Sequence, residues 1–432
     1  MEKRIDVHYV TRVEGHGNIV VDIEDNEVKK IEWQIPEAPR FFEAIVREQS
    51  YEHLPFITSR ICGICSIGHA IASIKAVESA LAIEVSDQTV ELRKLALHAE
   101  NMQSHSLHVG FLVLPDLFGK KDIIEVAKEN KGLVKKVIEL HKLANRLSDL
   151  VAGRTTHPIS LAVGGFYSYP SPRELERMKR EIENGKRYLE ELSYEIEKRM
   201  DNFPDFWRET EYIALSKEKE YPFYDGIPKS SDVGYLEKDY REFTNEHVVD
   251  VSTAKHTKHL RDSYMVGALA RFNLNSKSLS DFAKHISSIF GLTAPCYNPF
   301  MNNIAQIVEI AHNMEESVKI IDGFLRKGLK EEKISKIEPK GGRGIGMAEV
   351  PRGLLIHDYE IDGNGRCRKA NLVIPTNQNH ANIQKDMEKL VPEIIERSPE
   401  EIEHILKMLV RAYDPCISCS THNLKVKVRW KR

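Results

Sequence analysis

The sequence predicts a mainly α protein with small β regions, built around a core bundle of long helices. Two observations carry that prediction. Apolar residues recur at spacings of three and four over long tracts, chiefly at 66–151, 171–200 and 302–327. Alternating, β-rich runs are confined to the first 35 residues and to 350–376.

Taken in order, residues 5–35 hold NIVVDIEDNEVKKIEWQI with Asp25-Asn26 as its turn, a small antiparallel hairpin that puts the run TRVEGHG (11–17) at its edge. Three amphipathic helical tracts follow: SIGHAIASIKAVESALAI, TVELRKLALHAENMQSHSLHVGFLVL, and IIEVAKENKGLVKKVIELHKLANRLSDLVAG, the last ending on Gly153. At Ser171 the run SPRE supplies a cap, a first-turn proline and Glu174 for a capping box, opening a helix to about Met200. Its dense charges read as a solvated face. Segment 204–250, rich in Tyr, Pro and Asp, reads as an irregular or partly stranded insertion. Helices are expected at 278–290 and 302–327. The glycine-rich stretch 328–350, with GGRGIGM, reads as a connection into a second β region at 350–376, which turns at Asp362-Gly363-Asn364-Gly365. One last helix, 383–411, delivers the chain to the run DPC. The whole is expected to form one unit, with sections 1–65, 66–202, 203–260, 261–411 and 412–432.

At 432 residues the chain can bury a sizeable core. Lys and Arg number 62 against 65 Asp and Glu, a formal net charge of −3, which argues against a nucleic-acid partner held by a broad basic surface. No run approaches the roughly 20 apolar residues of a membrane span, and the start MEKRIDVHYV lacks the apolar stretch of a secretory signal, so a cytoplasmic protein is expected.

Two cysteine pairs of identical spacing, Cys62-Gly-Ile-Cys65 and Cys416-Ile-Ser-Cys419, lie near opposite ends of the chain. A two-residue gap lets both sulfurs of a pair face one point, and four thiolates favour a soft or borderline transition metal. Zinc, an iron–sulfur cluster and nickel all fit four sulfurs. Pairs this far apart are unlike a zinc ribbon, whose pairs lie within tens of residues. With four of six cysteines claimed by one site, no disulfide is needed, and Cys296 and Cys367 read as incidental thiols.

RICGICSIGHA (60–70) and DPCISCSTH (414–422), with TRVEGHG, PRFFE (39–43), GRTTHP (153–158), YMVGALAR (264–271) and PRGLL (351–355), together resemble the large subunit of nickel–iron hydrogenases, in that family's order and over nearly the whole chain. The resemblance implies reversible heterolytic cleavage of dihydrogen. Cys62 and Cys416 would be terminal nickel ligands, and Cys65 and Cys419 would bridge to an iron carrying cyanide and carbon monoxide. Arg352 would face the open metal positions, Thr376 would hydrogen-bond cyanide, and Glu14 would gate protons, since burial beside a thiolate favours a carboxyl that can carry one. Glu43, the Leu372 carbonyl and His422 would hold magnesium, or iron, nearby. His69, one turn after Cys65, would hydrogen-bond toward its sulfur, and Arg60 would be structural or would counter the site's charge. His105, His108 and His157 read as satisfied core histidines. Ser104 stands where many relatives have Asp, so no acidic role carries over there.

The resemblance also implies partners. The chain has no GxGxxG fingerprint and no further cysteine set, so electrons would leave through an iron–sulfur small subunit, then flavin-bearing diaphorase subunits, to NAD(P), deazaflavin or ferredoxin. A maturation endopeptidase would cut after His422. The alternatives on the same scaffold are a dihydrogen sensor and a non-catalytic protein with a structural metal.

Overall fold

The computed structural model describes residues 3–236 and 239–421. About 49% of the chain is helical and 19% is strand, so helices dominate, but strand is more plentiful than two small regions would supply. The surplus lies in strand Lys3–Val7, in strand Gly342–Val350 and in the 204–265 region.

At the N-terminus, Lys3–Val7 adds a third antiparallel strand to the expected pair Asn18–Glu24 and Glu27–Gln34. TRVEGHG is therefore the loop joining the first two strands. The expected turn forms at Asp25 and Asn26, both in the left-handed region that a two-residue hairpin loop requires (φ 48° and 65°).

The helices Asp87–Leu107, Lys131–Ala152, Pro172–Glu197 and Asn302–Lys327 pack on one another. Pro172–Glu197 opens with the expected capping box at Ser171 and Glu174. The tract 123–153 is two helices: Asn130 leaves the helical region (φ −137°, ψ 74°), and its side chain caps the second by accepting from the Leu133 N–H at 3.1 Å. The final tract also divides, into Pro375–Ile394 and Pro399–Ala412. A residue before proline is pushed to extended backbone, and Ser398 (ψ 153°) takes that conformation while forming a capping box with Glu401.

The glycine-rich stretch is the clearest departure from the sequence reading. Residues Gly342–Val350 form an edge strand paired with Gly353–Ile361, which in turn pairs with Cys367–Val373. Alternate glycines 342, 344 and 346 share one face of that strand, pressed onto helix Ser66–Leu81. A Cβ at each would come within 2.3, 2.1 and 2.1 Å of the carbonyl oxygens of Ala80, Ala76 and Ala72. The two periods match: every second residue of the strand meets every fourth of the helix. The glycines serve close approach, not flexibility. This contact sets the helix that begins after Cys65 against the sheet that carries Arg352.

Gly344→Ala is expected to cost about 1–3 kcal/mol through overpacking. Gly363→Ala, with nothing within 4 Å of the new carbon, should stay within about 0.5 kcal/mol of wild type. Thermal unfolding of the two variants checks this; equal midpoints would show that the strand does not bear on the helix.

Candidate metal centre

Each cysteine pair sits where the chain turns into a helix. Cys65 is the residue before Ser66–Leu81, and Cys416 precedes the short turn Ile417–Ser420. The Cys65 N–H donates to Cys62 Sγ at 3.3 Å, folding the first pair onto itself. The second pair is held by the N-terminal loop, where Glu14 runs parallel beside Cys416. The Ile417 N–H donates to the Glu14 carbonyl at 3.0 Å, and the Ser418 N–H to Glu14 Oε2 at 3.1 Å. Gly15 has φ 85°, and a Cβ there would lie 2.7 Å from Ile417 Cβ, which accounts for glycine after Glu14.

Two arginines then tie the pieces together. Arg40, from PRFFE, donates to the Ile61 carbonyl at 2.6 Å and the Ser418 carbonyl at 3.4 Å, spanning both cysteine loops. Arg411 and Arg12 share Asp116, which fastens the chain ahead of Cys416 to the loop carrying Glu14. The sequence reading passed over Arg40, Arg411 and Asp116, because nothing in a linear pattern pairs residues as far apart as Asp116 and Arg411 or Arg40 and Ser418.

All four cysteines are buried, none more than 5% exposed. Cys62 Sγ lies 3.5 Å from Cys416 Sγ, and the sulfurs of Cys62, Cys65 and Cys419 lie within 4.8 Å of one another. A tetrahedral centre with metal–sulfur bonds of about 2.3 Å has sulfurs about 3.7 Å apart, so the donor set fits one soft metal. Glu14, Cys416 and Cys419 also group within 4.8 Å. One feature departs from expectation: Cys416 and Cys419 are joined as a disulfide. Metal ligation calls for the thiolate, so the ligating form of this pair is the reduced one. In the first pair, the Cys65 thiol and the Arg352 guanidinium hold Cys62 down at about 7, while Cys65 is pushed up by the Cys62 sulfur and by burial.

Arg352 is buried against this group. Its Nε donates to the Asp414 carbonyl at 2.6 Å and one Nη to Asp414 Oδ1 at 2.9 Å; the other, Nη1, has no hydrogen-bond partner among the described residues. Asp414, overlooked in DPC, thus aims the arginine, and Gln306 steadies it by donating to Oδ2 at 3.1 Å. The role of YMVGALAR also becomes visible. Arg271, fully buried, grips Glu309 and Glu349 and donates to the Val350 and Pro351 carbonyls, so it holds the backbone immediately before Arg352.

The remaining residues sort as follows. Thr376 Oγ1 accepts the Cys416 N–H at 3.0 Å. Glu43 and Leu372 do meet, the Leu372 N–H donating to Glu43 Oε1 at 2.9 Å; His422 lies outside the described residues. The His69 ring engages His357 Nε2 at 3.2 Å, a contact the sequence did not suggest. His105 pairs with Glu309, and His108 with Gln306 and the Arg411 carbonyl, as core histidines do; His157 meets the Ser59 carbonyl but is half-buried, not a core residue. Arg60 is exposed and donates to the Phe56 carbonyl, which favours the structural of its two readings. Ser104 is buried. Burial pushes the Cys367 thiol up to about 12, and Cys296 is also raised by burial. Glu100, not anticipated, is a fully buried carboxylate beside the first pair, pushed up to about 8 by burial.

A profile of the family described as nickel-dependent hydrogenase matches residues 40–136 and 277–422, and a HoxL-like profile matches 4–38. The chain belongs to the nickel-dependent hydrogenase family. Among the relatives of this hydrogenase large subunit, sulfhydrogenase 2 subunit alpha of Pyrococcus furiosus is 34% identical, over 98% of this chain and 100% of that one. The beta subunit of the NAD-reducing hydrogenase HoxS of Cupriavidus necator is 27% identical, over 98% and 96%. A solved NAD+-reducing NiFe hydrogenase in its H2-reduced state shares the fold, with a TM-score of 0.86 at 24% identity over 97% of this chain and 99% of that one. No helix among the described residues is long and apolar enough to cross a membrane.

The second cysteine loop also has an acid limit. His380 accepts the Trp33 indole N–H on Nδ1 at 3.0 Å and meets Ser420 Oγ through Nε2 at 3.0 Å, so a second ring proton would face a donor. Burial drives His380 well below its ordinary value of 6.5, and lowers the neighbouring His256 to about 4. At these two histidines the unfolded chain therefore binds more protons than the folded one below pH 6.5, and their contribution to stability is lost as pH falls from there toward 4. His256→Gln is expected to flatten that loss by up to about 1.4 kcal/mol per pH unit, read from unfolding midpoints between those pH values.

Proposed function

We propose that this hydrogenase large subunit works in a cytoplasmic complex, handing electrons from dihydrogen to an iron–sulfur small subunit and then, through flavin-bearing diaphorase subunits, to NAD(P) or ferredoxin. One observation carries the catalytic part: four buried cysteine sulfurs from opposite ends of the chain converge beside one buried arginine with an uncommitted N–H edge. The relatives named for NAD reduction and sulfhydrogenase activity support a soluble acceptor. Dihydrogen is two atoms, so no large pocket is needed, and a cavity of about 1080 Å³ elsewhere in the molecule is lined by none of the four cysteines.

When bound, a nickel–iron pair with iron-held cyanide and carbon monoxide supplies the electron-accepting centre for heterolytic cleavage. Cys62 and Cys416 would be its terminal thiolates and Cys65 and Cys419 the bridging ones. Arg352, fixed by Asp414, presents Nη1 as a permanent donor toward the open side. Thr376, which accepts from the Cys416 N–H, keeps its hydroxyl proton to give to cyanide. Glu14 lies within reach of the Cys416 and Cys419 sulfurs and is fastened by the Ser418 N–H, which suits it to take a proton from a thiol and pass it outward. Glu43, with Leu372 and His422, would hold magnesium or iron behind the second pair. The long helices serve as the bundle core of one unit spanning 1–432, and an endopeptidase would act after His422 once the metals are in place.

Elemental analysis of the purified complex, with infrared spectra in the window where metal-bound carbon monoxide and cyanide absorb and protein does not, is expected to give nickel, iron and those bands. Zinc alone with a silent window would refute the reading. Cys416→Ser should abolish nickel retention; full nickel content with wild-type hydrogen uptake would sink its ligand role. Glu14→Gln should keep the metals yet slow exchange between deuterium gas and solvent protons by about a hundredfold, and an unchanged rate would remove Glu14 from the proton path.

A further inference from the structure

We infer that Glu100 is a positioning residue for the first cysteine pair: its carboxylate clamps the start of the helix that begins directly after Cys65 and so holds that sulfur toward the metal. The inference rests on the hydrogenase reading only for what Cys65 is positioned toward.

The first turn of any helix leaves N–H groups without intrahelical partners. For Ser66–Leu81 the preceding residue is Cys65, which makes no side-chain cap. Glu100, from the middle of the neighbouring helix Asp87–Leu107, supplies what is missing. Its Oε2 accepts the Ile67 N–H at 2.7 Å, and the Gly68 N–H lies 3.0 Å from both oxygens. Space for this is made by glycine: a Cβ at position 68 would lie 2.7 Å from Glu100 Oε1 and 2.2 Å from Val350 Cγ1.

Most buried carboxyl groups meet an arginine, and Glu100 is one that does not, as is Glu211, which is held by Ser230 and His259. The buried carboxylates Glu78, Glu309, Glu349, Asp116, Asp386 and Asp414 each meet an arginine. No lysine or arginine among the described residues hydrogen-bonds Glu100, which is 1% exposed and held by those two backbone N–H groups alone. Burying an unpaired carboxylate is costly, and here its return is a fixed helix start one residue beyond Cys65.

Three variants test this in the purified complex and in the reduced, metal-free full chain. Glu100→Met removes both acceptors: nickel per chain is expected to fall about tenfold. Alkylation of Cys65 by iodoacetamide in the metal-free chain, followed by mass spectrometry, should speed up severalfold while Cys367 keeps its rate. Glu100→Gln retains an oxygen within reach of both N–H groups and should keep nickel and the Cys65 rate within about twofold of wild type. If the Met variant does not fold, Glu100→Asp, which keeps the carboxyl but withdraws it by one methylene, carries the test with the same expected losses in smaller measure. Wild-type nickel and Cys65 rates in Met, or in Asp where Met is lost, would overturn the inference, as would a Gln variant as damaged as Met. A wild-type chain without nickel would overturn the hydrogenase reading instead, and the Cys65 rates would still decide Glu100.

Discussion

Four sulfur atoms contributed by residues 62–65 and 416–419 must stay within a few ångströms of one another while buried, and most of the polar interior answers to that constraint. Thiolates gathered without a metal repel one another, so the geometry has to be imposed from outside the cluster. Arg40 spans both loops, Glu14 lies as a backbone splint along Cys416, and Arg352 locks to Asp414 two residues before the second pair. Breaking the buried Arg352–Asp414 pair from one side leaves an unpaired charge, at about 3–5 kcal/mol.

The surrounding fold explains why these splints hold still. The glycine face of Gly342–Val350 presses the helix following Cys65 onto the sheet that ends in Arg352, so the first cysteine pair and its guanidinium share one rigid contact. Arg271, itself held by Glu309 and Glu349, grips the carbonyls at 350 and 351, and Asp116 gathers Arg12 and Arg411. Positioning is therefore layered: backbone placed by arginines, and arginines by carboxylates, among them Glu309 on the long helix Asn302–Lys327. A centre that must polarise a two-atom substrate depends on such preorganised charge more than on a shaped pocket.

The disulfide between Cys416 and Cys419 belongs to the same chemistry. The spacing that lets two thiolates share a metal also brings their sulfurs close to each other.

Local patterns were enough for the helices, the caps at Ser171 and Asn26's turn, the paired cysteines and the residues on motifs beside them, because helical period, turn chemistry and ligand spacing are written within a few residues of sequence. They misled where the determinant was a partner elsewhere. GGRGIGM looked like a flexible connection because strand glycines signal looseness until the helix backbone they admit is seen. The last helix looked continuous because Ser398-Pro399 ends one helix and caps the next within a single apolar rhythm. Which motif residues carry charge into the site, Asp414, Arg40, Arg271 and Glu100 among them, was decided by tertiary structure alone: each acts on a group that lies far off in sequence, and a buried ion pair or a borrowed helix cap leaves no trace in the spacing of either partner.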